Sequence, residues 1–245
     1  MNKEPIAIIA AQEGELQYLI SLLQSKKEKS YGRYIAYEGE IEGYPVIILF
    51  TCVGIINAAV ATTLLLNNKK VKCVINQGTA GAHKDYLNIN DIVIGKECIN
   101  INTYKTKKIE YGMRPEEWEI INFLSGTKDK QIVYKADESL VQIADTIKNE
   151  YGTKIIGRLG SGDVWNQEKD RIKWISKVCN TLCEDMESVS IYTICNDMNI
   201  PVIGIRIISN NELKNLEFEK STEINCQKFV YEMIKKIINQ GQIKI

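Results

Sequence analysis

The hydrophobic positions of this chain are grouped in short runs that do not alternate with polar positions. These Ile- and Val-rich runs cover 6–11, 46–51, 73–76, 91–94, 154–158 and 202–208. Continuous apolar runs of this length are typical of β-strands that are buried on both faces. The pattern therefore predicts a central sheet with helices on each side.

The segments between these runs have the apolar spacing of helices. The predicted helices cover 14–23, 56–66, 140–151 and 186–198. A last helix follows Ser221, a candidate N-cap, and places Phe229, Met233 and Ile237 on one face. The alternation predicts an α/β fold, a single three-layer α/β/α domain over 1–245 with a mixed central sheet. Ligands of such sheets bind at the carboxyl ends of strands, so functional residues should follow the apolar runs.

One segment, 102–127, interrupts this alternation. It mixes basic, acidic and aromatic residues and contains Pro115. Long connections are often functional, so a lid or a dimer contact is as compatible with the segment as an ordinary surface excursion.

Composition narrows the classes of function. Lys and Arg together number 31, as do Asp and Glu, so the formal net charge is zero. Nucleic acids and anionic membranes attract basic surfaces, so we expect neither as a partner, whereas a balanced charge favours self-association. No stretch approaches the ~18 apolar residues of a membrane span, and the N-terminal apolar run is too short for a signal peptide. We therefore expect a cytoplasmic protein.

The chain has seven cysteines and one histidine, His83. Without a Cys-x-x-Cys motif, the cysteines are expected to be buried free thiols rather than a disulfide framework. Cys179 and Cys183 lie four residues apart, but one histidine leaves a metal few other ligands. We therefore expect neither a metal nor a cofactor.

Polar and small residues follow several apolar runs. Glu13 and Glu15 follow the first run, although on this segment alone the preference of acidic residues for the first turn of a helix is the better explanation. Thr79 lies between Gly78 and Gly81 after the third run, where glycine allows a ligand close to the backbone. No Lys or Arg accompanies these glycines, so a phosphate cradle is not expected.

Later segments add further candidates. Trp165, in SGDVW, offers a flat face for a base, or is a core tryptophan at a loop. Glu187, in CEDMES, needs hydrogen-bond donors if it is buried, and sugar hydroxyls are suitable donors. Arg206, Ser209 and Asn210 lie at the end of the last apolar run.

Taken in order, these segments resemble the purine nucleoside phosphorylase/nucleosidase superfamily. The matching motifs are AAQEGE, VGIINAA, NQGTAGA followed by LNINDIVI, SGD, and DMES followed by RIISN. Within the superfamily, the chain is most similar to the methylthioadenosine/adenosylhomocysteine nucleosidases. The resemblance implies a nucleoside phosphorylase-like fold, hydrolysis of the N-glycosidic bond of a 5′-substituted purine nucleoside, a place in methionine salvage and a homodimer.

The resemblance also implies roles for single residues. Glu15 matches the carboxylate that activates the attacking water, and Glu187 matches the acceptor of the ribose 2′ and 3′ hydroxyls. Trp165 matches the aromatic residue that stacks on the base. The other residues that the resemblance assigns to the substrate site are Val53 on the 5′ side, Thr79 and Gly81 beside the sugar and water, Met186 against the ribose, and Arg206 and Ser209.

Water rather than phosphate is the expected nucleophile. The phosphorylases of the superfamily carry phosphate-binding arginines, one of them just before the glycine loop, where this chain has Asn76 and Gln77. Their glycine- and arginine-bearing segment near the N-terminus is also missing here.

Asn210 departs from the nucleosidase pattern, which has an aspartate that protonates N7 of adenine. An asparagine amide cannot donate a full proton, although it can donate a hydrogen bond. Three hypotheses follow: a preference for a 6-oxopurine nucleoside, as in futalosine hydrolases, a slow or repurposed adenine nucleosidase, or a deliberate Asp→Asn change that traps substrate.

Two smaller departures concern the shape of the site. Cys52 stands where the family usually has glycine and is expected to narrow the site. Tyr104, Tyr111 and Trp118 lie where the family builds its 5′ pocket, partly from the partner subunit, and they suggest an unusual 5′ preference.

Functions of other classes explain fewer of these features. A module that only binds nucleosides would keep Glu187 and Trp165 but has no need of Glu15. A phosphorylase lacks its arginines here, and a dinucleotide-dependent dehydrogenase lacks its GxGxxG fingerprint.

Overall fold

The structure is a computed structural model that describes residues 3–106, 108, 119–120 and 132–240. The strands are β1 (Ile6–Ala10), β2 (Gln24–Tyr31), β3 (Tyr34–Ile41), β4 (Tyr44–Phe50), β5 (Cys73–Ala82), β6 (Ile92–Asn100), β7 (Tyr104–Lys105), β8 (Glu119–Ile120), β9 (Val133–Lys135), β10 (Lys154–Ser161), β11 (Cys183–Asp185) and β12 (Val202–Asn210). The helices are α1 (Gln17–Ser21), α2 (Ile55–Asn68), α3 (Glu138–Asp145), α4 (Lys169–Cys179), α5 (Ser188–Asp197) and α6 (Thr222–Asn239).

Most of the strands form one mixed sheet in the order β11-β10-β6-β12-β5-β1-β4-β3-β2, with β9 beside β6. β1 lies parallel between β4 and β5, and β12 pairs parallel with β5 and antiparallel with β6. β11 also pairs with β5, so β11, β10, β6, β12 and β5 close on themselves. The mixed central sheet is as predicted. Its partial closure was not predicted, and it sets Glu184 opposite Gly81.

Helices cover both faces of the sheet, as the unbroken apolar runs predict. Ile8 of β1 packs in a cluster with α1, α3 and α6, where Met233 is fully buried. Ile9, the next residue, packs in a second cluster with α2 and α5, which includes Leu65 and Ile191. Successive residues of a strand point to opposite faces, so a strand between two apolar layers needs apolar residues at every position.

Some elements differ from the prediction. The segment 14–23 is a 3₁₀ turn (Glu13–Glu15) followed by the short helix α1. The hairpin of β2 and β3 and the helix α4 were not predicted; β2 is exposed along nearly its whole length, so it lacks an apolar signal. Ser221 precedes α6 as predicted, but its side chain makes no capping hydrogen bond.

Two further observations concern the whole described chain. Within these ranges, no helix is both long and apolar enough to cross a membrane. Cys52 is exposed, the other six cysteines are buried, and all seven are free thiols.

Candidate active site

A cleft of about 790 Å³ lies at one edge of the sheet. Its walls come from the segments that follow β1, β4 and β10, from the ends of β5, β11 and β12, and from the first turn of α6. The candidate residues that line it are Glu15, Val53, Thr79, Gly81, Trp165, Met186, Glu187, Ser209 and Asn210. Residues far apart in the sequence thus meet at the edge where ligands were expected.

Glu15 is oriented by hydrogen bonds to both of its carboxylate oxygens. Oε2 accepts from the backbone N–H groups of Ala11 and Gln12 at 3.2 and 3.1 Å. Oε1 accepts from the backbone N–H of Thr79 at 2.9 Å. Gly78 permits this approach, because a Cβ at that position would lie 2.5 Å from Oε1. The result is a buried carboxylate in a fixed orientation at the cleft wall.

Glu187 is a second buried carboxylate of the cleft. Its Oε1 accepts from the backbone N–H of Gly54 at 3.1 Å, and its Oε2 accepts from that of Met186 at 3.3 Å. Burial, together with the nearby Asp185 carboxylate, raises the pKa of Glu187 to about 7, although Arg206 opposes the shift. Glu187 therefore changes its charge near neutral pH.

Arg206 was expected to bind substrate, but the structure places it beneath the cleft. It is 2% exposed and is not among the residues that line the cleft. Its Nε donates to Asp185 Oδ2 at 2.8 Å, and its Nη2 donates to Asn76 and Ser188. Burial alone would raise the pKa of Asp185, but Arg206 outweighs it and lowers that pKa. Asp185 in turn accepts the backbone N–H of Glu187 at 2.9 Å, so the pair orients Glu187 from below.

Asn210 ends β12 opposite Gly81. Its Nδ2 donates to Glu212 Oε1 at 3.2 Å, and its Oδ1 accepts from Ser209 Oγ at 3.2 Å. A primary amide has two N–H groups and two acceptor positions. One N–H and one carbonyl lone pair therefore remain for a ligand.

Aromatic and apolar side chains form the outer walls. Trp165 is 54% exposed and lies edge to face with Phe218, with 6.0 Å between ring centroids. Val53 is 41% exposed at the same cleft. Trp165 is thus not the core tryptophan that the sequence left as an alternative, and its ring is accessible to a planar ligand.

The expected narrowing of the site by Cys52 is not observed, and Tyr104 lies apart from the cleft of its own chain. Cys52 is exposed and does not line the cleft, and its φ of 63° lies in the left-handed region that favours glycine. Tyr104 lies edge to face with Trp174 and is also absent from the cleft walls. Tyr111 and Trp118 lie outside the described residues.

Sequence reasoning missed several residues of the site. Glu184 lines the cleft and had a signal, since it belongs to the acidic CEDMES segment. Its partners His83 and Asn166 are isolated polar residues whose meeting depends on the closure of β11 onto β5. Phe218 and Lys220 also line the cleft, from an irregular segment without a recognisable pattern.

No cluster of metal ligands lies in the part of the chain that the structure describes. There, no three or more His, Cys, Asp or Glu side chains are grouped to hold an ion.

Comparison with known proteins extends over nearly the whole chain. A family model described as "Phosphorylase superfamily" matches residues 5–239. The 5′-methylthioadenosine/S-adenosylhomocysteine nucleosidase of Bacillus licheniformis is 30% identical, over 95% of this chain and 99% of the relative. The crystal structure of the Neisseria meningitidis enzyme of the same name, in complex with methylthio-immucillin-A, superposes with a TM-score of 0.78 at 26% identity, over 95% of this chain and 99% of that one. A futalosine hydrolase mutant of Helicobacter pylori shares the fold, with a TM-score of 0.77 at 20% identity, over 95% and 99% of the two chains.

Proposed function

The chain belongs to the phosphorylase superfamily, and we propose that it is a nucleosidase that hydrolyses the N-glycosidic bond of a purine nucleoside. The expected substrates carry a 5′-substituted ribose of the methylthioadenosine or adenosylhomocysteine type, after which the relatives are named. Those names support the enzyme class that the sequence predicted, a hydrolase of N-glycosyl compounds.

The observation that carries the proposal is the Glu15 carboxylate. Backbone N–H groups from two separate strand ends hold it at the wall of the cleft that also contains Glu187 and Trp165. A module that only binds nucleosides gains nothing from a carboxylate fixed in this way. A hydrolase needs a base within hydrogen-bond reach of the attacking water.

The reaction follows from these placements. Glu15 takes a proton from a water molecule as the water oxygen forms a bond to C1′ of the ribose. The C1′–N bond breaks, its electron pair leaves with the base, and the base takes up a proton from solvent. Glu15 then returns its proton to solvent. In the ribosyl transition state positive charge develops on the sugar, which a nearby carboxylate stabilises.

Glu187 is assigned to the ribose hydroxyls, with Met186 against the sugar. An ionised carboxylate only accepts hydrogen bonds, and two neighbouring hydroxyls each offer a donor. Because Asp185 and Arg206 hold the start of α5, Glu187 meets the sugar in one orientation. Thr79 and Gly81 lie on the adjoining wall, and Trp165 offers its face to the base.

Water is favoured over phosphate by the charges of the cleft. Lys220 is the single basic residue among the described residues that line it. Arg206, which lies beneath the cleft, is buried and paired with Asp185. A phosphorylase would need cationic groups directed at the site of attack.

Asn210 supports a second candidate, a 6-oxopurine nucleosidase. Its free N–H and carbonyl lone pair suit a base that carries O6 and a protonated N7. A weakly catalytic, nucleoside-binding relative is the third reading of the same residue. We further propose a homodimer that completes the 5′ side of the site, and a cytoplasmic role in methionine salvage.

The test is release of free base, measured by chromatography with and without phosphate. The nucleosides are methylthioadenosine, adenosylhomocysteine, inosine and futalosine. Base release independent of phosphate is expected from the natural protein, and Glu15→Gln should lower kcat by about 10²–10⁴-fold. Asn210→Asp should accelerate release of adenine, because it supplies an acid.

The matched control is Glu13→Gln. Glu13 lies in the same 3₁₀ turn and also lines the cleft, but its side chain is exposed and accepts from Gln17 Nε2. Its substitution should leave kcat within a few-fold of the natural value. Turnover that requires phosphate, or an equal loss in the two variants, would contradict the proposal.

A further inference from the structure

A buried hydrogen-bond network that the proposed chemistry does not use is centred on Glu184. His83 Nε2 lies 2.9 Å from Glu184 Oε2, and His83 Nδ1 lies 2.6 Å from Thr181 Oγ1. The backbone N–H of Asn166 donates to Glu184 Oε1 at 2.9 Å, and Asn166 Nδ2 donates to Oε2 at 2.5 Å. The partners are at most 2% exposed, whereas Glu184 also lines the cleft. One carboxylate is thus held from behind and reaches the ligand space.

Glu184 determines which hydrogen-bonding group this wall of the cleft presents to a base. Asn166 directly follows Trp165, whose ring is accessible in the cleft. Glu184 accepts the backbone N–H of Asn166, and Asn166 does not line the cleft, so this N–H is not offered to a ligand. The polar group presented in its place is a carboxylate, which accepts hydrogen bonds and, when ionised, donates none.

Purine bases differ at the edge that such a carboxylate would meet. N1 of adenine is an acceptor beside a 6-amino group, whereas N1 of a 6-oxopurine carries a hydrogen beside the acceptor O6. A carboxylate opposite this edge repels adenine N1 and accepts the N1–H of a 6-oxopurine. A site built to accept a hydrogen bond discriminates strongly against a ligand that lacks the donor, because its polar group is left unpaired.

Asn210, on another strand, fits the same base. Glu212 takes one amide N–H of Asn210, and Ser209 takes one lone pair of its carbonyl. The remaining N–H can donate to O6, and the remaining lone pair can accept from N7–H of the departing base. Two walls of the cleft therefore present matching groups to a 6-oxopurine.

We propose that Glu184 is a specificity-determining residue that accepts the N1–H of a 6-oxopurine base, and that His83 is a positioning residue that holds it. This assignment rests on the proposed function and narrows its base. It differs from the adenine nucleosides after which the relatives are named. If Glu184 only anchored the loop of Trp165, its removal would weaken both kinds of base equally.

The first measurement is calorimetric titration of the protein with hypoxanthine and with adenine. The natural protein should bind hypoxanthine about 10–100-fold more tightly, the range expected for one unpaired buried polar group. Glu184→Gln should reduce this preference at least tenfold, because its amide can donate to adenine N1. The matched control is Glu97→Gln, which removes a carboxylate that pairs with Arg158 at 2.8 Å on another part of the sheet and should leave the ratio unchanged.

The second measurement is kcat/KM for 5′-methylthioinosine and 5′-methylthioadenosine. Tighter binding of adenine by the natural protein, or the same ratio in Glu184→Gln, would overturn the proposal. If Glu184→Gln does not fold, the proposal is tested by the preference of the natural protein for hypoxanthine over adenine. That preference should then fall in His83→Gln. Binding in the expected ratio without cleavage would refute the hydrolase and leave the base assignment standing. If neither base binds and neither nucleoside is cleaved, both proposals are wrong.

Discussion

Asp185 and Glu187 are carboxylates two residues apart whose pKa values are shifted in opposite directions. Arg206 forms an ion pair with Asp185 at 2.8 Å and lowers its pKa against the effect of burial. Glu187 forms no ion pair with another described residue, and burial with the neighbouring Asp185 charge raises its pKa to about 7. The ion pair with Arg206 thus favours the ionised form of Asp185, whereas burial favours the protonated form of Glu187.

The first prediction concerns the pH dependence of Glu187. In the proposed role its ionised form accepts from both ribose hydroxyls, so kcat/KM should rise with pH through about 7 and then level off. The pH profile of kcat/KM between 5 and 9 measures this. In Glu187→Gln the residual activity should lack that rise, and a rise that persists unchanged in the variant would show that another group controls it.

The pH dependence of the free energy of unfolding tests the pKa of Glu187 independently of activity. The folded pKa of about 7 exceeds the ordinary value of 4.5, so between these pH values the native state binds more protons than the unfolded state. The stability that Glu187 contributes is complete below pH 4.5 and is lost as pH rises through 7. Glu187→Gln should therefore raise the free energy of unfolding by roughly 1–3 kcal/mol at pH 8 and by less at pH 5, as measured by urea titration.

At the scale of elements, the end of β5 determines how Glu15 is held. Thr79 donates its backbone N–H to Glu15 only because Gly78 has no side chain. A Cβ at Gly78 would lie 2.5 Å from Glu15 Oε1 and 2.9 Å from Arg206 Nη1. A strand end and the 3₁₀ turn after β1 thus together form the wall of the cleft around Glu15.

The second prediction is that Gly78→Ala displaces Glu15 and lowers kcat by about 10–100-fold, since small displacements of a catalytic group are costly. The control is Gly157→Ala in β10, where the added Cβ would meet the Leu182 side chain, which is outside the cleft. Both variants should lose stability, which thermal melting measures. Equal kcat losses in the two would indicate that general destabilisation explains the effect.

The same elements show how far sequence reasoning reaches. Strands β1, β4 and β12 were predicted because burial on both faces leaves an unbroken apolar run. The hairpin of β2 and β3 was missed because a strand exposed along its length carries no such run. Among site residues, Glu15 follows a predicted strand and Glu187 lies at the start of a predicted helix, whereas the pairing of Arg206 with Asp185 depends on side-chain packing that no local pattern encodes.

At the scale of the whole molecule, charge balance and exposed apolar side chains favour association. The formal net charge is zero, so little electrostatic repulsion opposes a second copy. Ile56 and Val60 lie one helical turn apart on α2 and are 73% and 44% exposed, and Val53 at the cleft is 41% exposed. Isolated exposed apolar residues are ordinary, but a group of them beside a cleft is typical of an interface.

The last prediction is that this face, defined by Val53, Ile56 and Val60, joins two copies of the chain. Ile56→Glu should convert a dimer to a monomer in analytical ultracentrifugation, because it buries a charge in an apolar contact. Because Val53 lines the cleft, the monomer should also lose kcat/KM for 5′-substituted nucleosides more than for inosine. Met198→Glu, at an exposed apolar residue that ends α5, is the control and should stay dimeric. A natural protein that sediments as a monomer, or a dimer that survives Ile56→Glu, would assign the exposed face of α2 another role.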